Sequence, residues 1–510
     1  MTTDTTRTLR ELLAVLPIPA PSDTSILSRP IRAVCQDSRR ALPDGLFVCV
    51  RGTRTDGHTY AAAAYERGTR VFLAERPLDL PSDAVVILVP DSRAALAEVA
   101  AAFYGFPAEE MHIVGITGTK GKTTTACLTA HILNRCGIPT GYIGTNGADF
   151  AGRHILTVNS TPESLELQAL LRQMADTGVH TCVMEVSSQG LWMGRVRGIP
   201  FHAALFTNLA PDHIGGAEHP DYDHYRACKH SLFTDYRVGL AVCNADDPEA
   251  DGMMRGTAAP ICYYSLSDQA NTHGGRPTCQ ARDIRADKQG GIPGVTFTAT
   301  LDGESAPCFL PLPGHFNVSN ALAALTLCRE GFGIPLSKAA ACLSDARVPG
   351  RFEFLSHPAQ PSVTYVLDYA HNGLSLAAIL DTLREYRPAR LICLFGSVGE
   401  RTQGRRRELA EAAAGRADLC ILTSDNPGIE PPEDILREID AAFPPDSCPR
   451  LCIPDRAEAI RAAVALARPG DMILLAGKGH ETYQLIGRER VPFSEREILM
   501  DAIQASLIKD

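Results

Sequence analysis

Little in these 510 residues points toward a membrane, a secretory route or a nucleic acid. The N-terminus has no basic start followed by an apolar core, and no apolar run approaches the roughly 20 residues that span a bilayer. The expected setting is therefore cytoplasmic, with no membrane segment. There is no basic excess either: 49 Lys and Arg against 59 Asp and Glu leave a formal net charge of -10. That balance argues against nucleic acid as a partner. Among 16 cysteines no two are spaced Cys-x2-Cys. Cys127, Cys182, Cys243, Cys393 and Cys420 sit in apolar segments and are expected to be reduced, buried core thiols, neither disulfides nor zinc ligands. Repeats and low-complexity stretches are missing as well. What is present is a 45% hydrophobic chain long enough for about three domains.

The most informative stretch is Gly118-Thr119-Lys120-Gly121-Lys122-Thr123-Thr124. It follows the apolar run Ile113-Val114-Gly115-Ile116 and precedes a periodic helix from Ala126 to Leu133. A strand, a Gly-rich turn and a helix N-terminus together make a phosphate cradle. Glycines let backbone N–H groups face the anion, Lys122 reaches the outer phosphates, and Thr123 can offer a hydroxyl to Mg2+. Gly118 and Gly121 stand closer than in the usual P-loop, but the Gly-Lys-Thr tripeptide in this context predicts a bound nucleoside triphosphate.

Three blocks are predicted, all α/β. Residues 1–109 alternate short strands (46–50 and 85–89) with Ala-rich helices at 59–67 and 93–104. Residues 110–345 form a βα series with near-continuous apolar strands at 181–186, 203–207 and 240–243, the mark of a parallel sheet covered on both faces. Within it, 279–312 breaks rhythm, and Val295 to Thr300 followed by Asp302-Gly303 predicts a small antiparallel insert. Residues 346–510 alternate again, with strands near 365–367, 391–395, 419–422 and 472–475, as a Rossmann-like unit.

Ligands of parallel sheets gather at the C-terminal ends of strands, where Glu185 stands beside Ser187 and Ser188. The next apolar strand ends in Asn208, then Asp212-His213. A helix from Tyr222 to Phe233 carries Lys229. Taken singly, Glu185 reads equally as a polar residue closing a strand, and Lys229 as a snorkelling surface lysine. Two successive strands ending in metal-type ligands beside a P-loop form a stronger constellation.

At this point the chain resembles the Mur ligases, the ATP-dependent amide-forming enzymes of peptidoglycan synthesis, and within them the muramyl-tripeptide synthetase type. The resemblance runs nearly the whole length. Its carriers are Asp37-Ser38-Arg39, Asp56-Gly57-His58, the P-loop, Asn159-Ser160-Thr161-Pro162 and Met184-Glu185-Val186-Ser187-Ser188. They continue with Tyr225 to Lys229, Gly314 to Asn320, Pro349-Gly350-Arg351-Phe352-Glu353, Asp368-Tyr369-Ala370-His371, Asp425-Asn426-Pro427 and Ala476 to Glu481. The resemblance implies a first block that holds a uridine diphosphate end, near Ser38, Asp56 and His58. It implies Ser160, Thr161, Ser187 and Arg195 around a UDP-N-acetylmuramoyl-dipeptide, and Asn317, Arg351, Asp368 and His371 around adenine and ribose. Asp425, Asn426, Gly477 and Glu481 are then associated with an incoming diamino acid bound by the third block. It further implies that CO2 carbamylates Lys229, and that Mg2+ is held by Thr123, Glu185, His213 and this carbamate. Lys122, Lys229 and His213 become the expected catalytic residues, in a monomer.

Several positions depart from the commonest pattern: Lys120 in the P-loop, Gln189-Gly190 after the serines, Asn372-Gly373 after His371, and the Gly-rich turn 396–401. Gly428 carries more weight. Diaminopimelate-adding members have arginine there to grip the distal carboxylate, so glycine opens L-lysine as well as meso-diaminopimelate as the added residue, unless Arg401 or Arg405 reaches in from another loop. A folylpolyglutamate-type ligase and a silent ATP-binding paralogue are the competing expectations. The Asp37–Arg39 and Asp56–His58 features weigh against the first. Joint retention of Lys122, Glu185, His213 and Lys229 weighs against the second.

Overall fold

A computed structural model describes residues 5–19, 21, 23–52, 55–211, 214–215, 218–267, 278–400 and 404–506. The chain is α/β throughout and divides into two compact units. Unit one holds residues 1–280 with short pieces at 300–304 and 320–339; unit two holds 281–299, 305–319 and 340–510.

Unit one contains two larger sheets besides the short antiparallel pair of Arg7–Thr8 with Pro30–Ile31. The first pairs Ala33–Cys35, Gly45–Val48, Val71–Ala74 and Val85–Leu88, all parallel and in chain order. Leu46, Val48, Val71 and Leu73 face one apolar cluster and Phe47 and Phe72 the other, so alternate side chains fill opposite faces. The second sheet centres on the P-loop strand His112–Thr117, flanked in parallel by Thr181–Glu185 and Phe201–Phe206. Beyond Thr181–Glu185 lie Thr140–Gly144 and an antiparallel edge of Gly147–Phe150 and Arg153–Ile155; beyond Phe201–Phe206 lie Ala241–Asn244 and Ile261–Ser265. The central strands are buried along almost their whole length, as their unbroken apolar runs predict. A sheet of this order places the ends of three adjacent strands, at Thr117, Glu185 and Phe206, on one edge.

The predicted insert is larger than one hairpin. Thr278–Gln289, Ile292–Leu301 and Glu304–Leu310 are successive neighbours. Gly290-Gly291 and Asp302-Gly303 turn between them with positive φ at every residue, as two-residue hairpin turns require.

Unit two is built on a six-stranded sheet in the order Glu353–Leu355, Thr364–Asp368, Met472–Ala476, Leu391–Phe395, Leu419–Leu422, Arg450–Cys452. Its first strand is antiparallel and the rest are parallel. Helices at Gly373–Arg384, Gly404–Ala414 and Arg456–Leu466 alternate with these strands. All sixteen cysteines are free thiols. Cys182, Cys243, Cys393 and Cys420 are buried as expected, but Cys127, on the helix Lys122–Arg135, is only half-buried.

Candidate active site

The loop after the P-loop strand is shaped by two glycines. Gly118 and Gly121 have φ of +145° and +86°, and a Cβ on either would run into Thr207 Oγ1 or Asn320 Oδ1. The loop is then pinned from the neighbouring strand end. Thr119 N donates to Asn208 O at 2.8 Å, Lys120 N to Asn208 Oδ1 at 2.9 Å, and Thr207 Oγ1 to Lys120 O at 2.7 Å. Lys120, at the position where the sequence departs, therefore contributes its backbone to the loop. Lys122 and Thr123 open the helix Lys122–Arg135, whose N-terminal N–H groups point the way an anion requires.

Four predicted residues meet here. Lys122 Nζ donates to Gly118 O at 2.8 Å, and Lys229 Nζ, from the helix Tyr222–Thr234, donates to the same oxygen at 2.8 Å. Lys229 is 1% exposed, with its ammonium 4.6 Å from the centre of the Tyr225 ring. Glu185, also 1% exposed, accepts from Thr123 Oγ1 at 2.9 Å, Tyr142 Oη at 2.8 Å and Thr145 N at 2.8 Å. Burial, then the Glu185 charge, pushes the Tyr142 phenol up, so it stays a hydrogen-bond donor. The hydroxyl and carboxylate oxygens of Thr123 and Glu185 are hard donors that suit Mg2+. An ammonium on Lys229 does not, whereas an anionic carbamate there would. Asp212 and His213 lie outside the described residues.

Beyond Glu185 the chain assembles a second group. Thr161 Oγ1 accepts from Ser187 N at 2.9 Å and donates to Glu185 O at 3.0 Å. Ser187 Oγ caps the helix Ser188–Trp192 through Gly190 N, and Arg195 bonds Thr161 O while pairing with Glu163 at 2.8 Å. Thr161, Ser187 and Arg195 thus lie together, and Ser160 adjoins Thr161 in sequence.

In the first block Ser38 lies in a 3-10 turn capped by Asp37, whose carboxylate also pairs with Arg39 at 2.7 Å. Asp56 and His58 form a tight fastener. Asp56 accepts from His58 N, faces His58 Nδ1 at 2.6 Å and pairs with Arg76 at 2.8 Å, while His58 Nε2 accepts from Glu75 N. The backbone N–H of His58, with Arg76 and the imidazole, holds the Asp56 carboxyl well below the usual range. Both ring nitrogens of His58 are engaged within the protein.

Unit two carries its own cluster. Asp368 ends its strand buried, which pushes its carboxyl up, and accepts from Phe352 N and Ala370 N at 2.8 and 2.7 Å. The Arg351 guanidinium lies 5.1 Å from the Tyr369 ring centre, and that ring also meets His371 and His480. Asn317, in the same unit, bonds Pro313 O at 2.7 Å. Further along, Asp425, Asn426 and Glu481 surround Lys478, which is fully buried: its Nζ stands 2.7 Å from Glu481 Oε2, 3.0 Å from Asn426 Oδ1 and 3.6 Å from Asp425 Oδ1. Gly477, at φ +114°, leaves room for Asp425, whose Oδ2 would be 2.9 Å from any Cβ there. Sequence reasoning missed Lys478 as an organising residue, although a lysine between two glycines after an apolar strand was a signal. It also missed Tyr142, which no local pattern marks, and the contact that Asn320, last residue of the Gly314 to Asn320 motif, makes with Thr125.

Gly428 adopts φ +62°, bonds Leu485 O through its N–H, and would meet Glu400 Oε2 at 2.7 Å if it had a Cβ. The arginine that the helix Gly404–Ala414 turns toward this loop is Arg406, and its charge is taken by Glu430 and Glu438 at 2.6 and 2.7 Å. Arg401 lies outside the described residues, and Arg405 is half-buried at the start of that helix.

The fold and site define a P-loop α/β protein with a phosphate cradle, a buried acid and a buried lysine beside it. Comparison with known proteins sharpens that class. Residues 30–104 match the Mur ligase family catalytic domain, 116–328 the Mur ligase middle domain, and 350–479 the Mur ligase glutamate ligase domain. The UDP-N-acetylmuramoyl-L-alanyl-D-glutamate--2,6-diaminopimelate ligase of Geobacillus kaustophilus is 39% identical over 93% of this chain and 95% of that protein. The same-named ligase of Chlorobium phaeobacteroides is 40% identical over 97% and 96%. A solved ligase of that name superposes with a TM-score of 0.69 at 28% identity, covering 98% of this chain and 99% of that one. A folylpolyglutamate synthase from Mycobacterium tuberculosis, at 18% identity and TM-score 0.60 over 76% and 92%, shares the fold. The chain belongs to the Mur ligase family and is an ATP-dependent amide-forming ligase. Among the described residues no helix is long and apolar enough to cross a membrane.

Proposed function

We propose that this chain adds a diamino acid, meso-diaminopimelate, to UDP-N-acetylmuramoyl-L-alanyl-D-glutamate in peptidoglycan precursor synthesis. It acts as a cytoplasmic monomer with residues 1–109, 110–345 and 346–510 as its sugar-nucleotide, ATP and amino-acid domains. The observation that carries the reading is the meeting of Lys122, Thr123, Glu185 and Lys229 at one loop. The names of its relatives favour diaminopimelate over L-lysine.

The reaction divides into two transfers. A substrate carboxylate oxygen attacks the γ-phosphorus of ATP and ADP leaves, giving an acyl phosphate. The diamino acid's amine then attacks the acyl carbon, and phosphate departs as the amine loses a proton. Lys122 neutralises charge on the transferring phosphoryl group while the loop's backbone positions it. Thr123, Glu185, His213 and carbamylated Lys229 would hold Mg2+, which supplies further charge neutralisation at the phosphates. Carbamylation joins the neutral amine of Lys229 to CO2 with loss of one proton. Two ammonium groups aimed at one carbonyl oxygen repel each other, and the carbamate replaces that repulsion with attraction. Thr161, Ser187 and Arg195 orient the dipeptide. Asn317, Arg351, Asp368 and His371 receive the nucleoside, and Asp425, Asn426, Gly477 and Glu481 receive the amino acid.

The test is incubation with ATP, the muramyl-dipeptide and each amino acid separately, with products weighed by mass spectrometry. A tripeptide product bearing diaminopimelate, with one ADP formed per product, is expected. Product with glutamate on a folate acceptor, or no product with any amino acid, would overturn the proposal.

A further inference from the structure

The helix Tyr222–Thr234 that carries Lys229 also carries His224 and Cys228, four residues apart and therefore on one face. Asp221 caps this helix through His224 N, and the chain just before the cap folds back so that His219 lies over the first turn. His219 Nδ1 stands 2.9 Å from His224 Nδ1, and Cys228 Sγ lies 3.8 and 3.9 Å from the two ring nitrogens of His224. One ligand atom from each residue falls within 4.8 Å of the others. His219 Nε2 meets Ser188 Oγ at 2.9 Å. With the proton on Nε2, donated to that hydroxyl, Nδ1 turns its lone pair toward His224 and Cys228. An outer hydrogen bond that fixes the tautomer is the usual support for a metal-binding imidazole.

We propose that His219, His224 and Cys228 form a site for a thiophilic divalent cation of the Zn2+ class, separate from the hard-oxygen Mg2+ site at Thr123 and Glu185. Two imidazoles and a thiolate suit Zn2+ or Co2+ and not Mg2+. A tetrahedral ion with bonds of about 2.0–2.3 Å sets its ligand atoms roughly 3.3–3.8 Å apart, so small side-chain rotations convert the observed separations into that geometry. As the metal–sulfur bond forms, the Cys228 thiol releases its proton to solvent. Each imidazole donates a lone pair, and water completes the shell. His219 is buried while His224 and Cys228 are half-buried, which gives the ion a route in. Cys228 is not among the five cysteines expected to be core thiols, and a set drawn from a loop and one helix face escapes a search for Cys-x2-Cys pairs.

The chain's single tryptophan reports on this site. The Trp192 ring lies 5.5 Å from His219 and 5.0 Å from His224, centre to centre. The full chain, stripped of metal by a chelator and held in excess Mg2+, is titrated with Co2+. Expected are one Co2+ per chain, a thiolate-to-cobalt charge-transfer band, and quenching of Trp192 with the same midpoint. Zn2+ should displace the cobalt. Cys228→Ser should erase the band, and His224→Ala should weaken Co2+ binding more than about tenfold, with thermal melts confirming that both variants fold. Absence of the band, its persistence in Cys228→Ser, or unchanged affinity in folded His224→Ala would overturn the proposal, as would loss of binding to Mg2+ competition. None of these readouts depends on ligase turnover, so they fail or succeed independently of the proposed reaction.

Discussion

Lys229 and Lys478 are both buried, at 1% and 0% exposure, yet they occupy opposite chemical settings. Lys229 donates to the carbonyl of Gly118, an oxygen it shares with Lys122, and lies against the Tyr225 ring. Lys478 sits among two carboxylates and an amide, all in its own loop cluster. Lys478 ties Asp425, Asn426 and Glu481 into one buried ion-paired cluster. Lys229 instead shares a backbone oxygen with a second lysine at the loop the P-loop glycines shape. The two lysines therefore differ in what they hold: one fastens side chains of its own unit, the other is directed at the backbone of the P-loop.

The largest effect should come from breaking the ion-paired lysine. Lys478→Met leaves Asp425 and Glu481 without their buried cation and should cost about 3–5 kcal/mol of stability, read as a lower urea midpoint. A change under about 1 kcal/mol would show that these carboxylates do not depend on it. Lys229→Ala should leave the fold intact and lower kcat about 10²–10³-fold, with partial rescue by short-chain carboxylates that replace a carbamate. Full activity in that variant would remove Lys229 from the metal site. Lys122→Ala should abolish substrate-dependent ATP hydrolysis, measured by ADP release.

A third carboxylate extends the comparison to the first block. Asp56 is held low by His58 N–H and Arg76, as a fastener of the Lys478 kind. Because its folded pKa lies below the unfolded value near 4, its contribution is complete above about pH 4 and is lost as pH falls through the folded value. Asp56→Asn should cost about 1.5–3 kcal/mol at pH 7, and the gap in melting temperature should close in acid. A gap that stays constant with pH would assign the loss to packing.

The P-loop, Glu185 at a strand end and the parallel strands were legible in sequence because each is a local pattern: glycines at fixed spacing, unbroken apolar runs, a polar residue where such a run stops. Lys229 was legible only through resemblance, since a helical lysine has no local mark. The contacts of Tyr142 and Asn320 were obscured by distance along the chain. Tyr142 reaches Glu185 across 43 positions, and Asn320 reaches Thr125 across 195. The engagement of both His58 nitrogens was hidden for the same reason, because Glu75 belongs to another strand's end. Tertiary pairing, not composition, decides which polar residues remain available for a ligand.

The smallest expected effect concerns Gly428, where diaminopimelate and L-lysine differ by one distal carboxylate. Inserting arginine alone should raise discrimination for diaminopimelate by less than about tenfold, or roughly 1.4 kcal/mol. Two features of the site limit the gain. A side chain at φ +62° costs about 1–2 kcal/mol of backbone strain. Its Cβ would also stand 2.7 Å from Glu400 Oε2, so that carboxylate is the nearest partner for the new guanidinium. Removing the competitor should release the effect: Gly428→Arg with Glu400→Gln should exceed Gly428→Arg, approaching the 10–150-fold that a charge-assisted hydrogen bond of about 1.5–3 kcal/mol provides. The check is kcat/KM for both amino acids in wild type, each single variant and the pair. Equal discrimination in the single and double variants would show that Glu400 does not compete. Strong wild-type selectivity untouched by any of them would place the carboxylate grip on another loop, with Arg405 the next residue to replace.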